Sequence, residues 1–369
     1  MSELKIAVIG AGHLGKIHAR LISQVEGACL VGIADPSPLI QRELIETTDV
    51  PVISDYRKLL GTIDAAIIAT PTRSHFEIAE DLLVRGIHCL IEKPITDCPY
   101  QANQLVELAN ESNCVLSVGH VEQFNPAIRF AIEKVGVPKF VQACRASGYT
   151  YRSTDIGVVH DLMIHDIDLV NSIFPGSISK TDACGFNVFG DKEDIAQSRL
   201  QFDCGGVANL TASRCSFDAE RSFQVVGSDG YAAVDLANHR VKFITYPNWM
   251  KDRSFDFSQA SAEQRDFVKQ NLFTEILPVE EIEPEKTNAI LQEQCDWVSG
   301  IVNGTDVHNS GGAAAEAVRI AGQVLDCIEK HEWFRSGVES GIVPFTPATK
   351  DWTQELPLPL QQDIAQRAA

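Results

Sequence analysis

The sequence lacks the features of a secreted protein, of a membrane-spanning protein and of a protein with a structural zinc site. Its ten cysteines are scattered and include no Cys-x-x-Cys pair, which argues against a disulfide framework or a structural zinc site and favours reduced thiols. No apolar run approaches the roughly 20 residues that a membrane-spanning helix needs. The first residues, "MSELKIAVIG", have no signal-peptide architecture. We therefore expect a cytoplasmic protein.

Basic residues are also scarce. The chain has 31 lysines and arginines against 50 aspartates and glutamates, a formal net charge of −19. Nucleic acids and anionic membranes favour basic surfaces, so neither is an expected partner. An anionic small molecule would have to be held by local arginines against a repulsive overall field.

The length of 369 residues favours two domains. In the first third, apolar strand-like runs such as "LKIAVIG" and "DAAIIAT" alternate with helical stretches such as "HLGKIHARLISQV". Continuously apolar strands that alternate with helices predict a parallel sheet covered on both faces. The expected fold class is α/β, beginning with a doubly wound Rossmann-type domain.

The first strand–helix turn carries the pattern Gly10-x-Gly12-x-x-Gly15, with Asp35 at the end of the next strand. Gly10 would permit a tight turn, Gly12 would let backbone amides approach a pyrophosphate, and Gly15 would allow close helix–strand packing. Asp35 can accept hydrogen bonds from ribose hydroxyls and would repel a 2′-phosphate. The pattern therefore predicts dinucleotide binding, with NAD favoured over NADP.

Two further polar stretches follow apolar runs, "ATPTRSH" (69–75) and "EKP" (92–94). Ligands of open α/β sheets bind at the carboxyl ends of strands. Glu92 and Lys93 at such a place are costly unless they face a site, although a single lysine at a strand end can simply be solvated. We predict that both stretches border the cofactor site.

The segment "HDLMIHDIDL" (160–169) concentrates histidines and aspartates. On a helix, Asp161 and His165 would share one face, whereas His160 and His165 would be splayed by about 140°. No nearby cysteine or third histidine completes a metal-ligand set, so no metal is expected. A catalytic pair and a merely polar helix start both remain open from these residues alone.

Four motifs in this order, "KIAVIGAGHLGKIHA", "ATPTRSHFEIA", "EKPIT" and "DLMIHDID", resemble the glucose–fructose oxidoreductase / inositol dehydrogenase / MocA family over residues 4–330. The resemblance implies a Rossmann domain followed by an α/β domain on a large, mostly antiparallel open sheet. It also implies hydride transfer between a nicotinamide cofactor and a sugar or polyol. The residues that it makes catalytic are Lys93, Asp161 and His165, without deciding whether Lys93 or His165 is the base. Those that it places at the cofactor are Gly10, Gly12, His13, Leu14, Gly15, Asp35, Thr70, Thr72, His75, Glu92 and Lys93.

Within the family, "GHVEQFNPA" and "GVVHDLMIHDID" are most similar to the branch that oxidises C3 of UDP-N-acetylglucosamine to a 3-keto sugar, in diamino-sugar synthesis for lipid A-type glycolipids. This chain has Gln123 where an arginine is usual, which puts that arginine's contact in doubt. The expected substrate-binding residues are His120, Gln123, Arg152, His160 and Arg214. A UDP-sugar diphosphate needs cationic partners, for which the candidates are Arg145, Arg152, Arg214 and Arg221.

Strand-like runs separated by turn residues continue from residue 139, as expected for an antiparallel sheet. We predict an NAD-binding domain over residues 1–124, a substrate-binding and oligomerisation domain over residues 125–335, and a proline-containing arm or tail over residues 336–369. Helices can cover only one face of the second sheet, so the other face predicts a homodimer or homotetramer.

Two alternatives to this function remain. The fold and cofactor also suit a UDP-N-acetylglucosaminuronate dehydrogenase or an inositol or free-sugar dehydrogenase. An alternative of another class is a non-catalytic dinucleotide-binding regulatory protein, against which the joint presence of Lys93, Asp161 and His165 counts.

Overall fold

The structure, a computed structural model, describes residues 3–150, 156–254 and 256–331, with Phe257 described without its side chain. Arg152 and the predicted segment 336–369 lie outside the described residues.

The first sheet is six-stranded and parallel, in the order β3-β2-β1-β4-β5-β6. Its central strands form because they are apolar on both faces, and all four residues of Ala65–Ile68 are fully buried. The strands are β1 (Leu4–Ile9), β2 (Ala28–Ala34), β3 (Val52–Ile53), β4 (Ala65–Ile68), β5 (His88–Ile91) and β6 (Leu116–Val118). The helices between them are α1 (His13–Ile22), α2 (Pro38–Ile45), α3 (His75–Leu83) and α4 (Pro99–Glu111).

The second sheet is eight-stranded, in the order β14-β13-β12-β11-β7-β10-β9-β8, and all its pairings except β7–β10 are antiparallel. Burial alternates along its strands, which is the pattern of a sheet with one covered face. The strands are β7 (Pro138–Ala146), β8 (Ile178–Phe186), β9 (Ile195–Phe202), β10 (Val207–Ser213), β11 (Glu220–Gly227), β12 (Gly230–Asp235), β13 (Arg240–Thr245) and β14 (Glu280–Ile282).

Three helices pack on the covered face: α5 (Pro126–Val135) against β11, β12 and β13, α6 (Ile164–Ile173) against β7 and β10, and α10 (Gly311–Lys330) against β8. A π-turn, Val159–Met163, directly precedes α6. The remaining helices are α7 (Asn248–Lys251), α8 (Ala262–Asn271) and α9 (Ala289–Asn303). The predicted fold class, a parallel Rossmann sheet followed by a mostly antiparallel sheet, is confirmed.

The two sheets share one apolar core. A single buried cluster includes Ala7 of β1 and Ala208 of β10, and α10 contacts α4 as well as α6 and β8. Helix α9 packs on α1, with Trp297 fully buried in a cluster that contains Ile6 of the first sheet. Among the described helices, none is long and apolar enough to cross a bilayer.

Candidate active site

The three glycines of the turn between β1 and α1 differ in how much room a side chain would have. Gly10 has φ +87°, and a Cβ there would lie 2.6 Å from the carbonyl oxygen of Ala69. A Cβ on Gly15 would lie 1.9 Å from the carbonyl oxygen of Gly10, whereas one on Gly12 would meet no described atom within 4 Å. Gly10 and Gly15 are therefore needed by the fold itself, and Gly12 borders open space at the start of a helix, where an anion is favoured.

The Asp35 carboxylate is bonded to the same turn. Its Oδ2 accepts the backbone N–H of Ala11 and its Oδ1 accepts that of Ser37, both at 2.8 Å. The side chain is thereby held at the carboxyl end of β2, beside the glycine turn. Its remaining lone pairs can accept hydrogen bonds from ribose hydroxyls. His13 and Leu14, in the first turn of α1, are exposed.

The segment after β4 supplies one wall of a cavity. The hydroxyl of Thr70 is buried and has no hydrogen-bond partner among the described residues, and Thr72 lines the same cavity. His75 is buried, with Nδ1 2.9 Å from the carbonyl oxygen of Pro94 and Nε2 2.8 Å from that of Thr70. His75 therefore joins the segment after β4 to the segment after β5, which contains the cis peptide bond Lys93–Pro94.

Six of the predicted site residues line this cavity, of about 240 Å³. Its lining comes from the first turn of α1, the segments after β4 and β5, and the segment that leads into and includes the π-turn: Leu14, Ala69, Thr70, Pro71, Thr72, Glu92, Lys93, Ile156 and Asp161. A larger cavity, of about 690 Å³, lies far along the chain and is lined by Trp249, Ser254, Glu263, Gln264, Phe267, Val268 and Ile276. Because that second cavity holds neither the glycine turn nor the lysine–carboxylate pair, size does not locate the site.

The cavity and the adjoining glycine turn together fit a dinucleotide. Gly12 leaves room for a phosphate, Asp35 offers acceptors to a ribose, and Thr70 has an unused buried hydroxyl. In a doubly wound sheet, the two halves of a dinucleotide lie on either side of the point where the strand order reverses. Glu92 and Lys93, which follow β5, border the half opposite Asp35.

Lys93 and Asp161 form an ion pair that joins the two halves of the chain. The Lys93 ammonium donates to Asp161 Oδ1 at 3.0 Å and to the Asp161 carbonyl oxygen at 2.7 Å. The two side chains are only 16% and 22% exposed. Two acceptors on one residue fix the direction of the lysine side chain, so its ammonium is oriented before any substrate arrives.

The helix that carries Asp161 and His165 differs from the expected regular α-helix. A π-turn spans Val159–Met163, and α-helical geometry begins only at Ile164. In a π-turn the spacing of five residues replaces that of four, and such turns occur often at functional sites. Asp161 pairs with Lys93, and Nδ1 of His165 is buried without a hydrogen-bond partner among the described residues.

His165 is surrounded by positive charge. Burial, followed by the charges of Lys93 and Arg145, lowers the pKa of His165 well below its usual value. A neutral imidazole has a nitrogen that can accept a proton. His165 is therefore a candidate base in its neutral form, and the charge of the Lys93 ammonium contributes to its lowered pKa.

His120 and Gln123 lie behind this wall, against α6. The amide of Gln123 donates to Asp168 Oδ2 at 2.7 Å, so it takes up a structural contact where an arginine is usual in the family. His120 is buried, with Nδ1 4.0 Å from Asp168 Oδ2 and both nitrogens without a hydrogen bond from the described residues. Burial lowers the pKa of His120.

The buried arginines are already paired. Arg214 donates to Asp194 and to the carbonyl oxygen of Ile156. Arg145 Nε donates to Asp166 and its Nη1 to Glu122, both at 2.9 Å. Their charges are therefore used inside the fold. That Arg214 binds the diphosphate stays a prediction, and its guanidinium would have to serve Asp194 and the ligand together.

Two other substrate-binding candidates have different surroundings. His160 is buried, with Nε2 lacking a partner among the described residues, and burial lowers its pKa. Arg221, at the start of β11, is exposed and close enough to lower the pKa of His165. Across the described ranges, no cluster of three or more metal-ligating side chains occurs.

Sequence patterns missed the residues that support Glu92. The Glu92 carboxylate lies 2.8 Å from Nε2 of His18, and its other oxygen accepts the N–H of Lys93 at 3.2 Å. His18 in turn contacts Gln294 of α9, 276 positions away. A histidine on the buried face of α1 was the one local signal, and nothing local marked Gln294.

Two family descriptions match the chain. Residues 4–120 match "Oxidoreductase family, NAD-binding Rossmann fold", and residues 135–233 match "GFO/IDH/MocA C-terminal domain".

Individual relatives agree with these matches. A UDP-N-acetylglucosamine 3-dehydrogenase from Acidithiobacillus ferrooxidans is 35% identical over 240 residues, which cover 65% of this chain and 76% of the relative. A solved structure of that enzyme superposes with a TM-score of 0.77 at 29% identity, covering 89% of this chain and 99% of the other. The scyllo-inositol 2-dehydrogenase (NAD(+)) of Bacillus subtilis is 26% identical over 259 residues, 64% of this chain and 75% of the relative.

Proposed function

The chain belongs to the GFO/IDH/MocA family of oxidoreductases with an NAD-binding Rossmann fold. From this premise we propose that it oxidises a secondary alcohol of a nucleotide sugar. One observation carries the proposal: Lys93 pairs with Asp161 at the cavity that the first turn of α1 borders. The ion pair brings the end of β5 and the π-turn of the second half together at one point, and His165 lies two residues past that turn.

Each of the three residues has a part in alcohol oxidation. Bound NAD⁺ supplies the hydride acceptor, and the hydroxyl proton must leave as the hydride departs. The Lys93 ammonium donates to the reacting oxygen, and Asp161 orients it. His165, kept neutral by burial and positive neighbours, accepts the hydroxyl proton; a neutral Lys93 is the alternative acceptor.

The cofactor is NAD, held by the residues that the sequence pattern nominated. Gly12 and the start of α1 take the pyrophosphate, Asp35 takes the adenosine ribose, and Thr70 offers its buried hydroxyl. NADP is disfavoured because its 2′-phosphate would face the Asp35 carboxylate.

The substrate that we favour is UDP-N-acetylglucosamine, oxidised at C3. The 35% identity to a dehydrogenase of that compound supports this choice. Of the candidate arginines that the structure describes, Arg221 is exposed. In this proposal it binds the diphosphate. A UDP-N-acetylglucosaminuronate and inositol are the alternatives, the second supported by the B. subtilis relative.

The test measures NADH formation by its near-ultraviolet absorbance, with NAD⁺ and a panel of UDP-N-acetylglucosamine, its uronate, inositol and glucose. A carbonyl trap removes the keto product, since alcohol oxidation otherwise stalls at equilibrium. Reduction of NAD⁺ with UDP-N-acetylglucosamine alone is the expected result. A signal with another sugar only would replace the substrate and leave the site.

Lys93→Ala separates catalysis from binding. We expect turnover to fall about 100-fold or more while NAD⁺ titration of the variant stays near that of the wild type. Lys58→Ala, at an exposed lysine outside the cavity, is the control. If Lys93→Ala keeps full turnover, or no sugar is oxidised by a protein that binds NAD⁺, a non-catalytic binding role gains support.

A further inference from the structure

A chain of three buried side chains lies behind the cofactor cavity. Nε2 of His18 is 2.8 Å from Oε1 of Glu92, and Nδ1 of His18 is 2.9 Å from the amide nitrogen of Gln294. His18 and Gln294 are both 0% exposed. The chain links α1, whose first turn borders the phosphate site, to the end of β5 and to α9.

The contacts of Gln294 settle which nitrogen of His18 carries the proton. The amide nitrogen of Gln294 also lies 3.2 Å from the carbonyl oxygen of His18, which can only accept. Turning the amide over would set its oxygen against that carbonyl, so the NH₂ group must face both atoms. Nδ1 of His18 is therefore the acceptor and Nε2 carries the hydrogen.

That hydrogen points at a carboxylate. Nε2–H of His18 donates to Oε1 of Glu92, and the backbone N–H of Lys93 donates to Oε2. Two N–H donors favour the charged form of the carboxylate. A Cβ on Gly119 would lie 2.9 Å from Oε2, so packing as well as hydrogen bonding fixes the carboxylate.

We propose that Gln294 is a positioning residue of the cofactor pocket, which fixes the Nε2–H form of His18 and thereby holds the Glu92 carboxylate in place beside the nicotinamide half. The inference rests on the proposed NAD site, since Glu92 lines that cavity. A fixed anion there favours the oxidised nicotinamide ring, which carries a positive charge, over the neutral reduced ring. The pocket would then bind NAD⁺ more tightly, relative to NADH, than it would without this chain.

The first measurement needs no cofactor. Side-chain ¹⁵N NMR of histidine-labelled protein distinguishes the two neutral forms of an imidazole, and His18→Gln identifies the His18 signals by their loss. We expect an unprotonated Nδ1 and a protonated Nε2 at neutral pH. A protonated Nδ1 would overturn the proposal whatever the protein binds.

The second measurement compares the dissociation constants of NAD⁺ and NADH. Gln294→Leu removes the donor to Nδ1 and frees the His18 ring that holds Glu92, so we expect the preference for NAD⁺ to fall roughly fivefold or more. The matched control is Val298→Ala, because Val298 is buried one helical turn further along α9 and its side chain can neither donate nor accept a hydrogen bond.

The outcomes separate the two proposals. A changed ratio in Gln294→Leu with an unchanged ratio in Val298→Ala supports the positioning role. Equal ratios in both variants and the wild type would overturn it while leaving the NAD site intact. Failure of the wild type to bind either nucleotide would instead remove the proposed function.

Discussion

Gly12 and Gly15 lie in one turn, but a methyl group at each has opposite consequences. At Gly12 it enters open space, so we expect Gly12→Ala to change the free energy of unfolding by less than about 0.5 kcal/mol. The same methyl group occupies the room for a pyrophosphate, so NAD⁺ affinity should fall at least roughly tenfold. Urea unfolding and NAD⁺ titration of the same samples measure both effects.

Gly15→Ala is the matched variant. Its Cβ would meet the Gly10 carbonyl oxygen at 1.9 Å, so the expected result is a loss of about 1–3 kcal/mol in unfolding free energy before any ligand is added. If Gly12→Ala instead binds NAD⁺ as the wild type does, the phosphates lie elsewhere.

The lowered pKa of His165 predicts the acid side of the pH profile. A base works only when unprotonated, and burial with the nearby charges of Lys93 and Arg145 keeps His165 unprotonated below the ordinary histidine value of about 6.5. If His165 is the base, kcat/KM for sugar oxidation should keep its plateau as the pH falls through that value and decline only at more acidic pH. A decline already complete above neutral pH, persisting in His165→Asn, would point to Lys93.

The lowered pKa of His165 also makes the folded protein less stable as the pH falls. Between the ordinary value and the lowered one, the unfolded chain binds a proton at this histidine and the folded chain does not. The contribution of His165 to stability is therefore complete above about pH 6.5 and is lost as the pH falls below it. His75, His120 and His160, whose pKa values burial also lowers, act in the same direction.

A site residue could be predicted from the sequence when the residues next to it in the chain already indicate its role. The glycine turn, Asp35 and Lys93 stand at strand ends, where position in the pattern already indicates function. The roles of Gln294 and Arg214 depend on partners that are distant in the sequence. Gln294 contacts His18, 276 positions away, and Arg214 contacts Asp194 on a neighbouring loop. No spacing rule places a glutamine of α9 against α1, or shows that an arginine is neutralised inside the fold.

At the scale of the elements, prediction was best where one environment acts along a whole strand. Strand β4 and the inner parts of β1 and β5, residues 6–9 and 89–91, are apolar because both of their faces are buried, so the parallel sheet was visible in the sequence. The two-residue strand Val52–Ile53 is too short to leave a pattern. The π-turn Val159–Met163 was missed because Asp161 and His165 have the spacing of a regular α-helix, and the extra residue in the turn shows only in the backbone.

Helix α10 joins the two sheets through small buried residues, and this packing can be tested. Ala321 is fully buried in the common core, and α10 contacts both α4 and α6. Ala321→Leu adds three carbons to a filled interface, so we expect a loss of about 1–3 kcal/mol in the free energy of urea unfolding.

The control for α10 lies in its first turn. Gly312 is exposed, and a Cβ there would have only the Ser310 hydroxyl within 4 Å, at 3.9 Å, among the described atoms. Gly312→Ala should stabilise the protein by about 0.5–1 kcal/mol, because alanine loses less backbone entropy in a helix. An unchanged stability in Ala321→Leu would mean that the interface has room the structure does not show.

At the scale of the whole molecule, the second sheet has one face covered by α5, α6 and α10 and one face that these helices leave open. Along the middle of the open face run the side chains of Gln142, Cys144, Gln197, Asn209 and Thr211, which are half-buried or exposed. The expected homodimer or homotetramer uses this face. A twofold interface brings the same residues of two copies together.

That symmetry makes a single added charge informative. Thr211→Asp puts one carboxylate into each copy near the middle of the face, in a chain whose net charge is already −19, so the two copies repel each other when they meet. Light scattering at micromolar concentration should show the variant near the monomer mass of 40.4 kDa and the wild type at a multiple of it. Asn103→Asp, an exposed position on α4, adds the same charge away from the sheet and should leave the assembly intact. A wild type that is already monomeric would end the oligomer prediction, whereas an assembly that survives Thr211→Asp would move the interface to another surface.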